Sequence, residues 1–149
     1  DIYGTSDQFH YASDARNGDL TITARVATQT NTNSWAKSGV MIRETTAANA
    51  AYVGIYITPA NGVDMQYRSA TGASAADLAR ASGVTVPIWL RLVRSGNTFT
   101  GYRSADGVTW TQVGSISVTM ATVVTTGLAD CSHNTAQLNT TTFDNLDIR

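Results

Sequence analysis

The sequence predicts an all-β protein of antiparallel strands, arranged as a sandwich or a barrel. Short runs alternate strictly between apolar and polar residues and are rich in Thr, Val, Ile and Tyr. β-Branched and aromatic side chains of this kind suit a pleated, half-buried surface. Turn dipeptides separate the runs at short, regular intervals. No long helical periodicity competes with this pattern. The 149 residues fit one domain over 1–149, long enough to bury a core without a metal or disulfide.

The first clear run is Leu20-Thr21-Ile22-Thr23-Ala24-Arg25-Val26, which sets Leu20, Ile22, Ala24 and Val26 on one face. Asn17-Gly18 before it is turn chemistry. Around Val40 and Ile42 a second strand is expected, with Arg43 on the opposite face. Tyr52 to Thr58 then turns Val53, Ile55 and Ile57 inward and Tyr52 and Tyr56 outward. Pro59-Ala60-Asn61-Gly62 closes a hairpin onto Val63 to Arg68, where Val63, Met65 and Tyr67 face the core and Asp64, Gln66 and Arg68 face away. Ala73 to Ala81 is alanine-rich with glycines at both ends, and reads as a loop carrying a turn of helix. Ile88 to Leu92 is a strand with Trp89 and Arg91 outward. Ser95-Gly96-Asn97 and Asp106-Gly107 mark two more hairpins, and the flanks of Cys131 read as strand.

Composition narrows the function. Charged residues make up 14% of the chain, against roughly a quarter in an average domain, and the net charge is -1. Such a surface offers no field to nucleic acid or to an anionic membrane, and no apolar run approaches the roughly 20 residues that cross a bilayer. Asp1-Ile2-Tyr3-Gly4 lacks the basic and apolar regions of a signal peptide and reads as a start inside a longer sequence. Cys131 is the only cysteine, so neither an intramolecular disulfide nor a cysteine zinc cluster can form; it reads as a packed thiol.

Several phrases in order carry a resemblance. They are Gly4-Thr5-Ser6-Asp7-Gln8-Phe9-His10, Gly18 to Val26, Trp35-Ala36-Lys37-Ser38-Gly39-Val40-Met41-Ile42-Arg43-Glu44, Trp89-Leu90-Arg91-Leu92, Ser95 to Phe99, Asp106 to Thr111 and Thr142-Phe143-Asp144-Asn145-Leu146. Together they resemble a concanavalin A-like β-sandwich accessory module of secreted bacterial proteins that act on polysaccharides. The resemblance spans nearly the whole chain. It implies a two-sheet antiparallel jelly-roll sandwich, a secreted location, a monomer and a non-catalytic, sugar-binding role beside a covalently linked catalytic domain.

Catalysis is disfavoured by the residues themselves. Sandwich glycanases use two carboxylates about 5 Å apart or further, and Glu44 is the only glutamate. Most aspartates sit at turns, Asp64 being the mid-strand exception. His10 and His133 are the only histidines, and there is no Gly-x-Ser-x-Gly elbow or phosphate-binding glycine loop. Ser104-Ala105-Asp106-Gly107-Val108-Thr109-Trp110 resembles a sialidase Asp-box one residue short, and reads more simply as an Asp-Gly hairpin. Threonine-rich runs reflect strand propensity rather than an ice-binding array.

Sugar binding draws on an aromatic ring for the sugar's C–H face and planar polar groups for its hydroxyls. The outward strand faces offer Tyr52, Tyr56, Asp64, Gln66, Arg68 and Arg43, and Trp35 after a polar loop is the foremost of three tryptophans for stacking. Against this stands an ordinary solvated sheet face on which Tyr and Arg cover apolar stems. No cofactor is required. A structural calcium ion is one reading of Asp144, through its place in the resemblance and with partners in Asp1 to Asp7; a turn-capping carboxylate is the other. The expected function is a carbohydrate-binding module that holds a linked enzyme near polysaccharide. The alternative is a spacer or protein-interaction sandwich that binds no sugar.

Overall fold

The computed structural model describes residues 1–149. Eleven strands follow one another: β1 (His10–Asn17), β2 (Leu20–Gln29), β3 (Lys37–Arg43), β4 (Tyr52–Thr58), β5 (Gly62–Arg68), β6 (Ala76–Ala81), β7 (Ile88–Ser95), β8 (Thr98–Ser104), β9 (Thr111–Ser117), β10 (Val123–Cys131) and β11 (Thr141–Ile148). They form two antiparallel sheets, one ordered β1-β10-β3-β4-β5-β6 and the other β11-β2-β7-β8-β9. The fold is therefore an all-β two-sheet sandwich, as the alternating runs predict.

Period-two patterning explains the core. Leu20, Ile22, Ala24 and Val26 from β2 meet Val53, Ile55 and Ile57 from β4, with Val63 and Met65 from β5 and Ile88, Leu90 and Leu92 from β7. Each lies on the face its alternation assigns. Gly62 closes the β4–β5 hairpin at φ +72°, and a Cβ there would come within 2.1 Å of the Ala81 carbonyl oxygen. Only glycine serves both demands. The Asp106-Gly107 turn is wider than a two-residue hairpin, spanning the residues between β8 and β9. Asp106 Oδ1 organises it by accepting the N–H groups of Val108 and Thr109 at 2.9 and 2.7 Å. These donors hold its carboxyl down at about 2.

Two expectations need correction. Ala73 to Ala81 contains no helix; Ala76–Ala81 is the edge strand β6, paired along β5. Alanine's helix propensity is a weak local bias, and the unpaired N–H and C=O groups of β5 override it. Secondly, the outward face of the six-stranded sheet is not solvated. The segment Asp1 to Phe9, which forms no strand, lies across it and builds a second, smaller core of Ile2, Met41, Tyr52, Tyr56, Ala75, Ala129 and Cys131. Backbone bonds from Asp7 to Ala48 and from Ala75 to Gly4 stitch it to the neighbouring loops.

Candidate functional site

The residues expected on that outward face cluster as expected, but beneath a cover. Tyr52, Tyr56, Asp64, Gln66, Arg68 and Arg43 are all buried. Asp7, in the covering segment, accepts Arg43 Nη1 at 2.6 Å and both terminal nitrogens of Arg68 at 2.6 Å. The Tyr52 ring lies beside both guanidiniums, 5.7 Å from that of Arg43 and 5.0 Å from that of Arg68. Further bonds run from Arg43 to the carbonyls of Ala47 and Ala48, and from Arg68 to those of Ala50 and Ala73. These arginines clamp loops to the sheet. Burial pushes the Tyr52 and Tyr56 hydroxyls well above the usual phenol range. Neither hydroxyl has a hydrogen-bond partner, nor has Gln66 Oε1.

Beside this network, at the β5–β6 edge, Gln66 Nε2 donates to Asp64 at 2.8 Å and to Asp77 at 2.9 Å. Arg80 reaches both carboxylates and lies 4.5 Å over the Trp35 ring. Desolvation, then the nearby Asp77 charge, push the Asp64 carboxyl up to about 6. Trp35 is thus half-buried with one face occupied. The other tryptophans are similarly engaged: Arg91 stacks 3.7 Å over Trp110, and the Gly107 backbone sits on the Trp89 ring.

Asp144 lies on the other sheet. Arg25 Nε and Nη2 take its two oxygens at 2.8 and 2.5 Å, and this pairing holds its carboxyl below the usual range. The expected calcium partners point elsewhere, Asp7 to the two arginines and Asp1 to Lys37 and His133. Calcium needs six to eight converging oxygens. This donor set does not fit the ion.

A separate concavity lies at another edge of the sandwich. A cleft of about 1520 Å³ opens between the β1–β10 edge of one sheet and β11 of the other, roofed by the loop from Ser132 to Thr140. Its wall carries planar polar side chains, among them Gln8, His10, Asn33, Asp130, Asn134 and Asn139, beside the half-buried rings of Phe9 and Phe143. Asp130 Oδ1 accepts Ser38 Oγ at 2.7 Å, Thr141 Oγ1 at 2.8 Å and Asn139 Nδ2 at 3.0 Å. Asn134 Nδ2 donates to the Thr32 carbonyl at 3.1 Å and fixes the loop. At one end Asp1 joins Lys37 and His133, with the buried Cys131 thiol next to them. Burial lowers the pKa of His133.

Sequence reasoning passed over Asp130, Asn134 and Asn139. The available signal was the loop itself, the longest connection between strands and dense in amide side chains.

Solved structures share this architecture. A Bacillus subtilis carbohydrate-binding module, CBM66, superposes with a TM-score of 0.65 at 18% identity, covering 96% of this chain and 81% of that one. The sandwich is one that a carbohydrate-binding module uses. A functionally unknown protein from Saccharomyces cerevisiae aligns with a TM-score of 0.74 at 17% identity, covering 96% of this chain and 75% of that one. The GH43 protein BlXynB from Bacillus licheniformis gives 0.64 at 13% identity, over 89% of this chain but 27% of its own. No protein-family profile and no curated protein sequence matches the chain. At these identities the likeness establishes the fold, and the cleft must be read from its own residues.

Proposed function

We propose that the chain is a non-catalytic carbohydrate-binding module and that the cleft between β1–β10 and β11 is its binding site. The observation that carries this reading is the cleft wall itself, where planar amide and carboxylate groups stand beside two phenyl rings in one open concavity. Amides and carboxylates bridge vicinal hydroxyls, and a phenyl face receives a sugar's C–H face. The shared sandwich with CBM66 supports the class of ligand. A comparable sandwich occupying about a quarter of the BlXynB chain supports a module joined to a larger enzyme. Within a secreted protein, such a monomeric module raises the effective concentration of the linked enzyme at its polysaccharide.

The carboxylates support binding over hydrolysis: in the cleft, Asp1 is tied to Lys37 and His133 and Asp130 is held by three donors on Oδ1. Asp64 has the raised pKa a general acid needs, but it is fully buried and outside the cleft. Glu44 accepts the backbone N–H of Ala121 away from the cleft. Affinity electrophoresis against a panel of soluble polysaccharides tests the proposal. At least one glycan should retard the protein, and Asn139→Ala or Phe143→Ala should weaken that binding about tenfold, while Trp110→Ala in the β8–β9 connection, outside the cleft, leaves it unchanged. Retardation by none of the panel, or loss with Trp110→Ala alone, overturns the site.

A further inference from the structure

Resting on that reading of the cleft, we infer that Asp130 selects glycans bearing a free amine, with the sugar ammonium on Asp130 Oδ2. The first observation is that Asp130 is a half-buried carboxylate with no cationic partner. Its three hydrogen bonds, from Ser38, Thr141 and Asn139, all end on Oδ1. They fix the carboxylate's orientation and leave Oδ2 as an acceptor without a donor. A carboxylate held this way by supporting bonds is preorganised for a charged donor.

The second observation concerns the surroundings. No lysine or arginine lines the cleft. Its titratable groups are Asp1 with the terminal ammonium, Asp130, His10, His133 and Cys131; the Asp1 carboxylate is met by Lys37 and His133, and the ammonium donates to the Gln8 carbonyl at 3.0 Å. The charge left without an ionic partner is that of Asp130 itself, which at Oδ2 favours a cation and opposes the carboxylate of a uronic acid or a sulfate ester. The third is Asn139 Oδ1, a buried acceptor with no partner, on the side chain that already bonds Asp130. Asp130 Oδ2, which is not among the buried unpartnered atoms, and the unpartnered Asn139 Oδ1 beside it suit a donor-rich group, and an amine next to a ring hydroxyl is one. His10 stands opposite Asp130 in the β1–β10 register.

Isothermal titration calorimetry with a glucosamine hexasaccharide and its N-acetylated counterpart, in mildly acidic low-salt buffer, tests this. The free amine should bind at least tenfold more tightly, with an advantage that shrinks as salt is added. Asp130→Asn keeps the shape and one acceptor, and should bring the two affinities together. His10→Gln should preserve or enlarge the difference, and Asp147→Asn, at the other end of β11 and outside the cleft lining, should leave it unchanged. Equal or tighter binding of the N-acetylated hexamer overturns the amine selectivity while leaving the cleft as a sugar site. Binding of other polysaccharides but of neither hexamer does the same. Failure of every glycan overturns both.

Discussion

Asp64 reports on its surroundings through its proton. Its side chain is 0% exposed, and its carboxyl is pushed up to about 6 by desolvation and then by Asp77. In the unfolded chain it titrates at its ordinary 3.8. Between these values the folded state holds a proton that the unfolded state has lost, so folding stability falls as pH rises from about 4 to about 6. The span of that loss is on the order of 3 kcal/mol. Urea denaturation across this range should show the decline in the wild type and a flatter profile in Asp64→Asn. Parallel profiles would mean that Asp64 ionises freely. The sequence placed Asp64, Gln66 and Arg68 on one face of β5 correctly, because alternation encodes side-chain direction. It said nothing of what lies above that face.

What lies above is an element without secondary structure. Asp1 to Phe9 has no hydrophobic period, so no pattern marks it as a cover; beside its backbone bonds and the Asp1–Lys37 pair, Ile2 and the Asp7 carboxylate anchor it in the interior. Asp7 neutralises two buried guanidiniums, and breaking such a pair leaves uncompensated charge in the interior. Asp7→Ala should therefore cost about 3 to 5 kcal/mol in chemical denaturation, with Asp7→Asn recovering part of it. A loss below about 1 kcal/mol would show that the carbonyls of Ala47, Ala48, Ala50 and Ala73 suffice for the arginines. β6 was misread for a related reason. An alanine run carries a helical bias, whereas its strand state comes from pairing with β5, a partner distant from local propensity. The cleft loop was equally silent, since amide-rich connections look alike until strands bring them beside β1 and β11.

At the scale of the whole molecule, two sheets close one core and leave a second face free to be covered by the chain itself. Its stability rests on packed apolar side chains and on arginine-centred clamps, with Asp144 committed to Arg25. A chelator should accordingly leave the melting temperature unchanged in differential scanning calorimetry. A fall of several degrees would reveal an ion bound through oxygens other than the expected carboxylates. The cleft, by contrast, draws much of its lining from the Ser132–Thr140 loop, outside the sandwich core. Exchange of that loop changes the chemistry presented to a ligand while the buried core keeps its packing. The sandwich is in this sense a mount with a replaceable fitting, on which new specificities can arise by drift or by grafting at little risk to folding.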